Sequence, residues 1–210
     1  MDYKNLILRA SLSIFIILVI FLPIMLFPEK LYYIFLIIYI IVLFEIYKYF
    51  NNLKFKIILY LYIIFSFISL EIYLYLFYNL YLFVYLFLII FVFDTVCYLL
   101  GSAFGKKRIF IFISPNKTYF GLFSGIVFTL ILSYIYNYYF ELFDFYNFVI
   151  FNFVIIIFSF VGDLIQSYYK RKSKLKDSGK LIPGHGGFFD RFDSLIMSSY
   201  ALLIFSIFYN

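Results

Sequence analysis

Residues 57–100 read IILYLYIIFSFISLEIYLYLFYNLYLFVYLFLIIFVFDTVCYLL. Across these 44 positions only Glu71 and Asp94 carry charge. A membrane-crossing helix needs about 20 apolar residues, so the run is too long for one span and must fold back on itself. The break is expected near Tyr78–Asn79. The same reasoning along the rest of the chain gives seven candidate spans, at about 6–27, 31–47, 57–77, 79–100, 120–138, 147–168 and 190–209.

Composition agrees. Of the 210 residues, 66% are apolar and 13% charged, and the mean hydropathy is +1.04. Soluble domains carry about a quarter charged residues, so a soluble globular protein and a disordered one are both excluded. The length leaves room for about six to eight helices and no separate soluble domain. Phe (33) and Tyr (24) are abundant and Trp is absent. With the many Ile, Lys and Asn, this points to an AT-rich coding bias, with aromatics standing where Leu or Val would serve. The single cysteine, Cys97, allows no internal disulfide. The N-terminal stretch has Lys4 and Arg9 before a long apolar run, and no small-residue cleavage site follows. It is read as a retained first span.

Charge sets an orientation. With the N-terminus inside, sixteen of the seventeen basic residues fall in inside segments and only Lys30 falls outside. The positive-inside rule therefore predicts seven spans, N-in and C-out. The net charge of +6 is accounted for by these short loops. It speaks for topology and for anionic headgroups or phosphates, not for nucleic acid. The expected fold class is all-α: a polytopic integral membrane protein of about seven transmembrane helices with a polar loop on the cytoplasmic side.

Polar residues are scarce enough to weigh one by one. Glu45 lies three residues before Lys48, and that pairing is its expected role. Glu71 is likewise read as structural. Asp94 and Asp163 sit near the inner ends of their spans, where an ionisable group usually faces a partner, a cavity or water. The longest polar stretch, 163–194, reads DLIQSYYKRKSKLKDSGKLIPGHGGFFDRFDS. It holds four of the eleven acids, the only His and seven basic residues. If the sixth span continues as a helix, Asp163, Ser167, Lys170 and Lys174 share one face. Asp190 and Asp193, three apart, share another. Pro183-Gly184-His185-Gly186-Gly187 reads as a tight loop whose backbone can approach a ligand. Upstream, Gly101 and Gly105 form a GxxxG, which usually means close helix packing. Ser114 to Thr118 reads as a short loop that leaves Lys117 free to reach an anion. Carboxylates suit Mg²⁺, which shares its ligands with substrate phosphates. Lys and Arg suit the phosphates, and glycine amides an anion. Together they suit phosphoryl or nucleotidyl transfer at a cytoplasmic membrane face.

These residues resemble the phosphatidate cytidylyltransferase (CDP-diacylglycerol synthase) family. The family's C-terminal signature is matched at 167–193 by Ser167, Lys170-Arg171, Lys176-Asp177, Gly179, Ile182-Pro183, His185-Gly186-Gly187-Phe188 and Asp190-Arg191-Phe192-Asp193. The upstream pattern is matched by Asp94, Tyr98, Gly101, Gly105, Ser114, Pro115, Lys117, Thr118 and Gly121. Three positions depart: Tyr169 replaces an apolar residue, Cys97 a small Ala, and Phe120 the usual Glu or Gln. The resemblance covers about 94–205 and implies that 94–210 is the catalytic region, with its active-site loop on the cytoplasmic side, while 1–93 supplies helix packing and lipid access. The chain is shorter than is usual for the family, which implies that an early span or two is missing.

The resemblance implies CMP transfer from CTP to phosphatidate with Mg²⁺, at a bacterial cytoplasmic membrane, in a homodimer. It implies Asp163 and Asp190 as metal ligands, and Asp163, Lys170, Asp177, His185, Asp190 and Asp193 as the catalytic set. It implies Asp94, Ser114, Lys117, Thr118, Ser167, Arg171, Gly186, Gly187 and Arg191 as the substrate-binding set. Two other readings stand beside it. One is a related CTP-dependent lipid-alcohol kinase or another lipid cytidylyltransferase. The other is a catalytically degenerate membrane paralogue, motivated by Phe120 and the short N-terminus.

Overall fold

The computed structural model describes residues 24–51, 56–182 and 186–209. Among them, six helices are long and apolar enough to cross a membrane. They are α1 (Leu31–Tyr49, entered through a short 3-10 turn at Pro28–Lys30), α2 (Lys56–Leu76), α3 (Leu80–Phe104), α4 (Tyr119–Phe140), α5 (Phe145–Lys172) and α6 (Phe189–Tyr209). The protein is an all-α polytopic membrane protein. Its sequence is rich in Ile, Phe and Tyr, which favour strands in water. In lipid the backbone must satisfy its own hydrogen bonds, and a helix does so within one segment. The expected first span, 6–27, lies almost wholly outside the described residues.

The expected fold-back is where α2 ends and α3 begins. Asn79 makes the break: its side-chain oxygen accepts from the Leu82 amide at 3.1 Å, capping α3. Tyr73 Oη donates to the Asn79 carbonyl at 3.4 Å and holds the turn against α2.

One connection departs from the expectation. Ser114–Thr118 is not a loop but strand β2, paired antiparallel with β1 (Arg108–Phe110). Pro115 and Asn116 are poor strand formers, which is why the sequence reads as a turn. The ribbon joins α3 to α4 and places Lys117 beside α5. Its end is also the start of α4, since Thr118 Oγ1 accepts from the Gly121 amide at 3.1 Å.

Helices α3 and α4 pack closely, as the GxxxG pattern implies. A Cβ on Gly121 would lie 2.6 Å from the Cys97 carbonyl oxygen and 2.9 Å from Gly101 Cα. Small residues of this kind let helices approach where the hydrophobic effect gives them no reason to. Helices α1, α2 and α6 meet along a polar seam instead. Tyr39 Oη and Ser66 Oγ are 2.6 Å apart, and Ser66 Oγ donates to the Ile196 carbonyl at 2.7 Å.

Helix α5 runs past the expected 147–168 to Lys172. Lys174 then takes a left-handed conformation, φ 57°, and the Leu175 amide donates to the Lys170 carbonyl at 2.8 Å. This is a Schellman-type stop. Lys174 therefore leaves the face that Asp163, Ser167 and Lys170 share.

Gly121→Ala should destabilise the protein by about 1–3 kcal/mol through overpacking of α3 on α4. Thermal unfolding in detergent checks this: the midpoint should fall for Gly121→Ala and barely move for Leu132→Ala, a half-exposed position on the same helix.

Candidate functional site

A cavity of about 800 Å³ opens between the ends of α3, α5 and α6 and the ribbon. One side is apolar, with Phe87, Ile90 and Phe91. The other gathers Asp94, Ser114, Lys117, Thr118, Asp163, Lys170, Asp177, Asp190, Arg191 and Asp193, ten of the fifteen residues picked out from the sequence. Lys117 comes from β2, Asp163 and Lys170 from one face of α5, and Asp190 and Asp193 from one face of α6.

Among the described residues, two lysine–aspartate pairs line this cavity. Lys117 Nζ lies 2.7 Å from Asp163 Oδ2, and 4.1 Å from the centre of the Phe160 ring. Ser167 Oγ donates to the other Asp163 oxygen at 3.2 Å. Lys170 Nζ lies 2.7 Å from Asp190 Oδ1.

The two oxygens of Asp190 have different partners. Oδ2 accepts from the backbone amides of Ser178 (2.7 Å) and Gly187 (3.0 Å), and from Ser178 Oγ (3.0 Å). Oδ1 accepts from two side chains, Lys170 and Gln166, both at 2.7 Å. One oxygen is fixed to the main chain, and the other is held by groups that can turn away. Ser194 serves the two remaining α3/α6 acids. Its Oγ donates to Asp94 Oδ2 at 2.9 Å, and its amide to Asp193 Oδ1 at 2.9 Å.

Of the other residues picked out, Gly187 supplies the amide just described. Gly186 has φ +83°, and an added Cβ would meet Asp190 Oδ2 at 2.5 Å. A left-handed residue with no room for a side chain has to be glycine. The Ile182 amide donates to the Gly186 carbonyl at 3.0 Å and closes the loop. His185 lies outside the described residues. Thr118 lines the cavity, but its hydroxyl caps α4. Arg171 is outside the cavity, where its Nε donates to the Ile113 carbonyl at 3.4 Å and Nη1 to the Leu175 carbonyl at 3.3 Å. Phe120 does not line the cavity either: it is half-exposed, with its ring 5.9 Å from that of Phe104.

Glu45 is a correction. Its expected partner was Lys48, yet the Lys48 ammonium lies over the rings of Phe44 and Tyr49. Glu45 is fully buried. It accepts from the amides of Phe188 (2.9 Å) and Phe189 (3.0 Å) and from Ser178 Oγ (3.2 Å). A helix start has amides with no partner of their own, and it favours negative charge. Glu45 thus fastens α1 to the beginning of α6 and to the loop that holds Asp190. Added Cβ atoms at Gly179 and Gly187 would each come within 2.6 Å of Glu45 Oε1. Besides Glu45, the sequence reading missed Gln166, Ser178 and Ser194. An acid inside an apolar run was the one available signal.

The donor set suits a divalent cation that arrives with phosphates. Among the described residues, no group of three or more His, Cys, Asp or Glu forms a ready-made cage. Mg²⁺ needs no such cage, because it takes one or two carboxylates and completes its shell with waters and phosphate oxygens. Asp163 and Asp190 each have an oxygen held only by a lysine or another side chain.

Glu45→Gln should loosen the start of α6, because the amide puts an NH₂ group where amides and a hydroxyl point. A loss of about 1–3 kcal/mol of hydrogen bonding corresponds to exchange faster by roughly fivefold to a hundredfold. Hydrogen exchange of peptides covering Phe188 and Phe189 should show it.

Comparison with known proteins follows the same residues. The model of the cytidylyltransferase family matches residues 2–209. A phosphatidate cytidylyltransferase of Staphylococcus epidermidis is 38% identical over 104 residues, covering 49% of this chain and 40% of that protein. The Bacillus subtilis enzyme of that name is 38% identical over 104 residues, 49% of this chain and 39% of its own. That of Haemophilus influenzae is 37% identical over 121 residues, 55% of this chain and 41% of its own. The chain therefore aligns with about two-fifths of the length of these relatives. With the family model matched along nearly its whole length, the chain belongs to the cytidylyltransferase family.

Proposed function

We propose that this protein transfers CMP from CTP to phosphatidate, releasing pyrophosphate and forming CDP-diacylglycerol in the membrane. The observation that carries the reading is the pair of lysine–aspartate bridges facing one membrane-end cavity, Lys117–Asp163 and Lys170–Asp190. Family membership supports the nucleotide, and the names of the relatives support the lipid acceptor.

The chemistry follows from these side chains. A phosphatidate oxygen attacks the α-phosphorus of CTP in line, and pyrophosphate leaves. Little covalent work falls to the protein, so positioning and charge stabilisation supply the catalysis. Lys117 and Lys170 exchange a carboxylate for phosphate oxygens when the nucleotide enters. That exchange frees Asp163 Oδ2 and leaves Asp190 Oδ1 with Gln166 as its one remaining donor; these are the two oxygens that would hold Mg²⁺. Bound Mg²⁺ would offset phosphate charge and align the triphosphate. Asp190 keeps its orientation throughout, because Oδ2 stays on the Ser178 and Gly187 amides. The apolar side of the cavity suits the glycerol end of a lipid whose acyl chains remain in the bilayer. Asp94 and Asp193, held by Ser194, and Asp177 and Arg191 complete the polar wall. His185 acts on a phosphate or a proton.

The proposed setting is a bacterial cytoplasmic membrane, with the cavity facing the cytoplasm and seven spans, N-in and C-out. A homodimer is part of the same proposal. The clustering of Lys and Arg at the cavity end supports the orientation.

Purified protein in detergent, given labelled CTP, phosphatidate and Mg²⁺, should form CDP-diacylglycerol, and a chelator should stop it. Phosphorylated lipid alcohol with released CDP, or no turnover by folded protein, would refute the proposal. Asp163→Ala should lower turnover by at least about a hundredfold, the order of a lost charge-stabilising group. The variant should remain in the membrane fraction.

A further inference from the structure

Residues 109–113 read Ile-Phe-Ile-Phe-Ile, with Lys106-Lys107-Arg108 immediately before them. They form the end of the ribbon between α3 and α4. β1 begins at Arg108 and β2 at Ser114, so the apolar residues make the tip. The tip is not folded back onto the protein: Phe112 is 93% exposed and Ile111 60%. Two large apolar side chains at the point of a turn, in contact with water, would each forgo about 1.5–3 kcal/mol of burial.

The ribbon cannot reach far from the bilayer. It is tied at one end to α3 and at the other to α4, both membrane-crossing helices. The Tyr119 amide donates to the Lys107 carbonyl at 3.1 Å, which pins its base to the helix ends. Around that base the helix ends are themselves apolar and open, with Phe104 64% and Tyr119 58% exposed. Lys106, Lys107 and Arg108 are exposed as well. An apolar tip beside three cations matches the two layers of a bilayer surface. Acyl chain and carbonyl meet the tip, and anionic headgroups meet the cations.

We propose that the tip of the ribbon, centred on Ile111 and Phe112, inserts into the headgroup–acyl boundary of the leaflet at the cavity end of the helices. Lys106, Lys107 and Arg108 rest on its phosphates. The inserted tip is continuous with the cavity. Ser114 and Lys117, the next residues of the ribbon, line it, and the Ile113 carbonyl is held by Arg171.

The chain contains no tryptophan, so Phe112→Trp introduces a single reporter. At so exposed a position it should not disturb folding, and Ile111→Trp provides a second placement. In vesicles of phosphatidylcholine and phosphatidylglycerol, emission should be blue-shifted relative to free tryptophan. Lipids brominated near the carbonyl end of the chain should quench it severalfold more than acrylamide does. Quenching by acrylamide without quenching by brominated lipid would overturn the proposal, because the tip would then lie in water. Protection from both quenchers would overturn it too, since the tip would be covered by protein, such as a second copy of the chain. The measurement is independent of turnover, so it separates this proposal from the proposed reaction.

Discussion

The Asp190 carboxyl group ties together three parts of the chain. It sits at the start of α6, reaches Lys170 and Gln166 on α5, and takes the Ser178 and Gly187 amides from the intervening loop. A loop this polar needs its backbone donors satisfied wherever water is excluded, and one carboxyl group satisfies two of them. The same group leaves its other oxygen toward the cavity. Holding the loop and equipping the cavity are therefore one arrangement. The floor of the site is only as well placed as that carboxyl group.

Glu45 does for the outer side of the loop what Asp190 does for the inner. Ser178 bridges them, donating to both. A carboxyl group at this depth is costly unless it is paired or hydrogen-bonded, and the start of α6 supplies amides that would otherwise be orphaned. Helix α1 belongs to the N-terminal segment expected only to pack and to admit lipid. Through Glu45 it also supports the cavity wall, without lining the cavity itself.

The sequence showed most of the cavity because charge is so rare in this chain. Asp94 and Asp163 stand out against apolar neighbours, and helical spacing alone aligns Lys170 with Asp163 and Asp193 with Asp190. The fold-back at Asn79 was legible from span length. Glu45 was not, because its nearest ionic neighbour in sequence is Lys48, while its donors lie 133 to 144 residues further on. The ribbon was hidden for another reason. Pro115 and Asn116 argue for a turn, and only pairing with Arg108–Phe110 makes a strand of them. Lys174 shows the limit of periodicity, which continues a helix on paper past the point where a left-handed residue ends it.

Gly179 and Gly187 both lie against Glu45, with no space for a methyl group at either position. The three residues therefore form an epistatic unit. At Gly179 the atoms in the way of an added Cβ all belong to Glu45, whereas at Gly187 Ser178 Oγ stands in the way as well. A shorter residue at 45 opens the first position and abandons the amides of α6. A single substitution at any of the three therefore costs packing or hydrogen bonds. Because the Gly187 amide also holds Asp190, the crowding around Glu45 reaches the cavity through the main chain.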